Sequence, residues 1–383
     1  MYKKVRSTLL YTSPFYKDDT DKVTGMENVG SIVLFIVAIS VIAFLHELGH
    51  FLTARMFHIE IEEFGLGFPP KAVRLFRWRE TDFSLNWIPF GAFVRPKGEN
   101  DPTIPGGLAA AHPLKRLVVL LGGPVMNLIT GMILFSLIFM QTGMPDEKSV
   151  LISGIVQDTP AEKAGLQAGD ILLKANGVSI DSITIVRSII QANPNKAITL
   201  EYSRAGQTAD MQVIPDANPP KGEGILGVML TNPLSAASWP QTIPIAANVS
   251  IEYSQQLFMA PIKLLLGQMP ADQGRLTSIV GLGNLFVQAR NRDIQSSETS
   301  NQTPAVSALT LMAIISIAFG ITNLLPIPAL DGGRILFVLP ELLLRKRIPA
   351  KYENTVHMIG FLALLLLMLI VTIQDIFNPI VLP

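Results

Sequence analysis

Residues 43–52 read AFLHELGHFL, with His46, Glu47 and His50 at the end of an apolar run. The residues before them, 29–45 (VGSIVLFIVAISVIAFL), carry no charge. Extended through Phe57, the segment makes a helix of about 43 Å at 1.5 Å per residue. That exceeds the roughly 30 Å hydrocarbon core of a bilayer. Ionisable groups inside such a segment are costly, which makes them functional candidates.

The composition agrees with a membrane setting. The chain has 383 residues, 49% hydrophobic and only 16% charged, with mean hydropathy +0.40. Soluble domains carry about a quarter charged residues. The absence of cysteine excludes disulfides, zinc–thiolate sites and cysteine nucleophiles. Lys+Arg and Asp+Glu are both 30, so bulk charge points to no nucleic-acid partner.

Four blocks are long enough to span: 29–57, 112–141, 303–330 and 355–377. The third ends in Pro326 and Pro328, which predicts a break in its helix near Asn323. Non-helical backbone at membrane depth is tolerated only beside protein or a water-filled cavity. Lys71, Arg74, Arg77, Arg79, Arg95, Lys97, Lys115 and Arg116 follow the first block, and Arg334, Arg345, Lys346, Arg347 and Lys351 lie in the loop 331–354. The positive-inside rule places both loops in the cytoplasm, and the chain ends and residues 140–302 outside. The tail 1–28 runs against that rule with Lys3, Lys4, Arg6, Lys17 and Lys22, which suggests that the natural chain starts at Met26. No cleavable signal peptide is expected.

Within 58–111, residues 83–94 have strand character, with Trp87 and the run Pro89-Phe90-Gly91. They read as β-hairpins dipping into the cytoplasmic membrane face beside the histidines; a small exposed subdomain is the alternative. Residues 153–180 (SGIVQDTPAEKAGLQAGDILLKANGVSI) alternate strand, short helix and strand. Thr159-Pro160 predicts a helix start, Gly165 its end, and Asn176-Gly177 a tight turn. The A-G-L-x-x-G-D string within it resembles a PDZ domain of the bacterial protease type, over 147–215. In 216–302, amphipathic stretches at 243–266 and 276–289 are expected on the outer membrane surface or against that module, with 291–303 a polar linker. The fold class is therefore a polytopic α-helical membrane protein of four transmembrane helices. It adds a re-entrant β-hairpin region and an extracytoplasmic α+β PDZ domain.

His46 and His50 stand at i and i+4, so both imidazoles share one helix face. Two imidazoles so spaced can bind Zn²⁺, and Glu47 between them can accept a proton from water at the metal. A buried polar cluster on a proton path is the competing reading. A catalytic zinc takes three protein ligands and keeps one position open. His58, His112 and His357 are poor third ligands: one ends the helix, one precedes Pro113 in a loop, and one opens the fourth block. Asp331, in NLLPIPALDGG (323–333), is the better one, because it follows the predicted break on the same side as the histidines; an aspartate capping the next helix is the alternative.

HELGH in the first span, GGPVMN (122–127) in the second, an outer PDZ module and NLLPIPALDGG in the third together resemble the site-2 protease family. The regulator-of-sigma-E protease type is the nearest in pattern. The resemblance implies an intramembrane zinc metalloprotease of the bacterial inner membrane, with its active site near the cytoplasmic side. It implies Zn²⁺ on His46, His50 and Asp331, and Glu47 as general base. Asn323 and Asn127 would serve the substrate: Asn323 positions the substrate strand and Asn127 supports the site. Its implied partners are the lipid bilayer and single-pass transmembrane proteins already trimmed by another protease, such as an anti-sigma factor or a signal-peptide remnant. The PDZ module would filter them. This chain departs from some members in having one PDZ module rather than two. It also lacks a proline expected in SIVGLG (278–283). The rival reading is a non-catalytic PDZ-bearing membrane scaffold with a structural metal site. A metal or proton transporter would need ionisable residues along several spans, and the second and third have none before Asp331.

Overall fold

A computed structural model describes residues 25–219, 224–268, 274–298 and 305–382. Of the tail 1–28, residues 1–24 therefore lie outside the described residues, as do 299–303 of the expected linker. The chain divides into two compact units: Met1–Ile138 with Trp239–Pro383, and Phe139–Ser238.

In the first unit, helix α1 (Gly25–Met56) buries Phe35, Ile42, His46 and Gly49. These positions fall on one face at helical spacing. Its other side exposes Val29, Ile32, Val33, Val37 and Val41. Helix α2 (Pro113–Thr142), α7 (Ser307–Leu324) and α9 (Ala350–Phe377), like α1, are long and apolar enough to cross a membrane. Along α9 only Val371 and Asp375 are buried, while Leu362, Leu366, Leu369 and Ile370 stand open. A helix apolar on every exposed face matches lipid rather than water. Helix α7 is the buried one, with Met312, Ala313, Ser316, Ile317 and Gly320 inside. It stops at Leu324, where Leu325 turns extended (ψ 146) ahead of Pro326 and Pro328.

Two expectations change in this unit. The stretches at 243–266 and 276–289 form helices α5 (Trp239–Leu265) and α6 (Ile279–Glu298), and both belong to the helical unit, not to the sheet module. Phe286 of α6 packs with Phe35 and Ile42 of α1 and with Met312 and Ile315 of α7. Residues 291–298 of the expected linker continue α6. The loop 331–354 holds helix α8 (Asp331–Leu344) and the start of α9. At the far end of α9, buried Asp375 accepts from Ser278 N (2.7 Å) and Arg275 Nη2 (2.7 Å), which fixes the approach to α6.

Strands β1 (Ile61–Trp78) and β2 (Thr81–Pro96) both bend and fold back. Phe64 pairs with Val94 and with Phe83, and Gly65 with Phe93 and Ser84, so the first half of β1 lies between two pieces of β2. The second half pairs on the far side, Arg74 with Ser84 and Arg77 with Asp82. The spatial order is 71–78, 81–88, 61–68, 92–96. Gly67 (φ +76) and Gly91 (φ +73) supply left-handed backbone at the bends. Glu63 is buried at the centre and accepts from Ser84 (2.7 Å), with Lys71 (2.6 Å) and Arg95 (3.2 Å) as ion partners. Burial alone would raise its pKa, but these partners outweigh burial and hold it below the usual carboxylate range.

The second unit is a sheet in the order β8 (Gln207–Val213), β7 (Ile198–Arg204), β5 (Ile171–Ala175), β4 (Val150–Ile155), β9 (Val228–Thr231). Two short strand pieces, β3 (Met144–Pro145) and β10 (Leu234–Ser235), pair with each other, and β6 (Val178–Ser179) pairs with β5. Strand β9 pairs with β4, so the module reaches past the end expected at 215. Helix α3 (Pro160–Ala164) ends at Gly165 (φ 88) as expected. Thr159 precedes it without a side-chain cap, and its hydroxyl donates to Val156 O (2.6 Å). Helix α4 (Ile183–Ala192) is capped by Ser182, which accepts from Ile185 N. Val150, Ile152, Leu172, Val186, Ile198 and Leu200 form the core. Each such side chain removed from water contributes about 1.5–3 kcal/mol. Asp170, fully buried, takes a forked pair from Arg204 (2.6 and 2.7 Å) and the Gln167 N–H (2.8 Å).

Candidate active site

The two histidines extend the buried face of α1 set by Phe35 and Ile42. His50 Nδ1 lies 2.8 Å from the Val119 carbonyl, which can only accept, so Nδ1 carries the hydrogen. Nε2 is left with its lone pair. His46 Nδ1 lies 3.2 Å from the side-chain amide of Asn127, which is fully buried. The amide nitrogen is the atom placed at the ring, which leaves Oδ1 buried without a partner; exchanging the two amide atoms brings the oxygen to the ring, where it accepts the Nδ1 hydrogen and leaves His46 Nε2 a lone pair.

These nitrogens stand 3.2 Å apart, and Asp331 Oδ2 lies 3.2 Å from His46 Nε2 and 3.3 Å from His50 Nε2. Asp331 Oδ2 is buried and takes no hydrogen bond. Three lone-pair donors so close, with no hydrogen between them, repel unless a cation sits among them. Tetrahedral bonds of about 2.0 Å set donor separations of about 3.3 Å, so the set suits zinc. Two imidazoles and one carboxylate also match catalytic zinc chemistry, with a position left open.

Glycines bring the helices close enough. A Cβ on Gly122 would meet the Gly49 carbonyl carbon at 2.9 Å, so α1 and α2 cross with backbone against backbone. A Cβ on Gly123 would stand 2.7 Å from His46 Nε2. Ser316 of α7 donates to the Asn127 carbonyl (2.9 Å), which links α2 to the third apolar helix. Asp331 opens α8 directly after the proline break, and Gly332 and Gly333 pack against the backbone of residues 324–328.

A cavity of about 270 Å³ is lined by His46, Glu47, His50, Val94, Asn323 and Asp331 among others. Glu47 Oε2 accepts the Val94 N–H (3.1 Å), so the 92–96 piece of β2 holds this carboxylate in place. Asn323 donates to Phe319 O (2.9 Å) in its own helix and lines the cavity.

The structure therefore brings His46, Glu47, His50, Asp331 and Asn323 to one cavity. Asn127 stands apart from them: it meets the His46 ring and is not among the residues lining the cavity. His58 is exposed at the end of α1, and His112 accepts from Leu114 N at the start of α2. Sequence reasoning missed the Val119 carbonyl and the Val94 N–H, because backbone groups leave no residue signal. It also missed the reason for Gly123, whose signal was its place in the GGP run.

The sequence matches the profile of Peptidase family M50 over residues 34–367. A Clostridium perfringens protein is 31% identical over 353 residues, covering 91% of this chain and 99% of its own length. Zinc metalloprotease RasP of Geobacillus kaustophilus is 28% identical, covering 92% of this chain and 99% of itself. Regulator of sigma-W protease RasP of Bacillus subtilis is 26% identical, covering 91% and 98%. The PDZ domain of an SdrC-like protein from Listeria monocytogenes aligns over 22% of this chain and 87% of its own, at 21% identity and a TM-score of 0.20. With this match along most of its length, the chain belongs to peptidase family M50, the site-2 protease family, and is a zinc metalloprotease.

Proposed function

We propose that the chain cuts single-pass membrane proteins within or near their membrane segments, with zinc on His46, His50 and Asp331 and with Glu47 as general base. The observation that carries this is the cavity: three converging lone-pair donors and a fixed carboxylate share it, at the end of an apolar helix. Zinc, when bound there, polarises the scissile carbonyl and acidifies the attacking water. Glu47 takes the proton of that water as its oxygen joins the carbonyl carbon. It gives the proton to the amine nitrogen as the C–N bond breaks. The Val94 N–H keeps the carboxylate aimed during both transfers.

A helical substrate hides its carbonyls and must unwind first. Residues 92–96 pair with 61–66 on one side, and their other edge borders the cavity. An extended segment added to that edge would be held beside Glu47, with Asn323 on the opposite wall. Apolar residues exposed on the hairpin, among them Phe76, Trp78, Trp87 and Ile88, favour its dipping into the membrane. The basic residues around the hairpin and after α8 favour a cytoplasmic site in a bacterial inner membrane, with the PDZ module outside. There the module would admit substrates already trimmed by another protease. A closed structural site would use four protein ligands. The described residues bring three, which favours the enzyme over the scaffold.

The test is to map the cut. Purified chain in detergent is given single-pass substrates, intact and with the outer domain removed, and products are sized by mass spectrometry. Cuts inside the apolar span, faster on the trimmed form, fit this reading. Cuts confined to exposed loops contradict it.

A further inference from the structure

The zinc-facing carboxylate stands on a turn that its own residues do not favour. Between α7 and α8 the chain runs through Pro326-Ile327-Pro328-Ala329-Leu330. Ala329, two residues before Asp331, has φ +79. That is the left-handed region, which glycine enters freely and alanine does not. Such backbone persists only where its surroundings over-determine it.

Helix α9 supplies the surroundings. The Ala329 N–H donates to His357 Nδ1 at 2.8 Å. One turn further along the same face, Gly360 lies against Pro328: a Cβ there would stand 2.9 Å from the Pro328 carbonyl oxygen. Phe337 of α8 packs on the other side of the imidazole, with ring centres 5.4 Å apart. Because Nδ1 accepts, the ring hydrogen sits on Nε2, which is buried and has no acceptor among the described residues. A buried N–H without a partner is a cost that a phenylalanine here would avoid. The histidine is therefore not the choice that packing alone favours. What it adds is an acceptor for Ala329.

We propose that His357 is a positioning residue for the zinc centre: it holds the Ala329 turn, and through it the orientation of Asp331. This rests on the reading of Asp331 as a zinc ligand. Loosening the turn would let the carboxylate drift from the two imidazole nitrogens. Zinc affinity falls about 10–100-fold when a ligand's supporting partner is lost.

The experiment uses the full chain in detergent and measures zinc affinity by chelator competition, with the visible spectrum of the Co²⁺-loaded protein as a second readout. His357→Phe keeps the ring packing and loses the acceptor. His357→Asn keeps an acceptor near the place of Nδ1. Expected are a roughly 10–100-fold loss of affinity and a shifted Co²⁺ spectrum in His357→Phe, and near wild-type behaviour in His357→Asn. Ala329→Gly added to His357→Phe restores much of the affinity, because glycine adopts the turn unaided. Wild-type affinity in His357→Phe overturns the proposal, as does failure of both Asn and the added glycine to rescue. Asp331→Ala in the same assay separates the two claims. If it retains zinc, the ligand reading fails; if it loses zinc while His357→Phe keeps it, only the positioning role fails.

Discussion

Gly123 of α2 faces His46 of α1 so closely that a Cβ on the glycine would stand 2.7 Å from Nε2, the atom proposed to bind zinc. On that proposal the GGP run shapes the metal site by leaving room for the imidazole. Gly123→Ala should push the imidazole aside and weaken zinc binding by about tenfold or more, in the manner of other lost supporting contacts. Chelator competition measures it. An alanine variant that binds zinc like the wild type would show that α1 and α2 part easily and that the close crossing is incidental.

Asn127 should behave as a partner of His46. Asn127→Leu removes the acceptor for Nδ1, and zinc affinity should fall about 10–100-fold. Asn127→Asp keeps an acceptor and should lose much less. If instead KM for substrate rises while zinc affinity stays the same, Asn127 contacts substrate after all.

Val94 offers its N–H to Glu47, and a proline there has none to offer. Hydrogen bonds to charged groups are worth about 1.5–3 kcal/mol, and each 1.4 kcal/mol is tenfold in rate. Val94→Pro should therefore lower kcat about tenfold with zinc content unchanged. Unchanged kcat would mean that the carboxylate is held by something else.

The sheet module should carry an acid-sensitive lock at Asp170. Burial pushes this carboxyl up, but Arg204 and the Gln167 N–H more than offset it, so its pKa lies below the ordinary value. The folded state then gains stability that is fully present above the unfolded pKa of about 3.9. It is lost as pH falls from there through the lower folded value. Asp170→Asn should cost about 2 kcal/mol at neutral pH and flatten that acid limb. Thermal melts of the full chain between pH 3 and 7 check it, and a parallel acid limb in both proteins would contradict it.

Much of the site is legible in the sequence because its geometry is local. The i, i+4 spacing of His46 and His50 fixes a shared face in any helix, and Pro326 and Pro328 mark a break wherever they occur. Asn127 is harder, since its direction depends on how α2 crosses α1, and that is set by Gly49 against Gly122 across a long gap in sequence. Asp331-Gly332-Gly333 reads as loop because glycine is a poor helix former. Yet α8 begins there, and the glycines admit the carbonyls of residues 324–327. Strand β9 joins β4 across 73 to 80 residues, a pairing that no local pattern announces. The role of His357 depends on a turn that is visible only once Ala329 is seen at φ +79.

The central claim, a zinc protease whose base is Glu47, is tested most directly by zinc content and cleavage measured together on wild type and Glu47→Gln. The account predicts about one zinc per chain in both. It also predicts cleavage of a trimmed single-pass substrate by the wild type, with the rate reduced about 10²–10⁴-fold in the variant. Cleavage by Glu47→Gln at the wild-type rate, or a wild type that cuts equally well after its zinc is stripped, would contradict it.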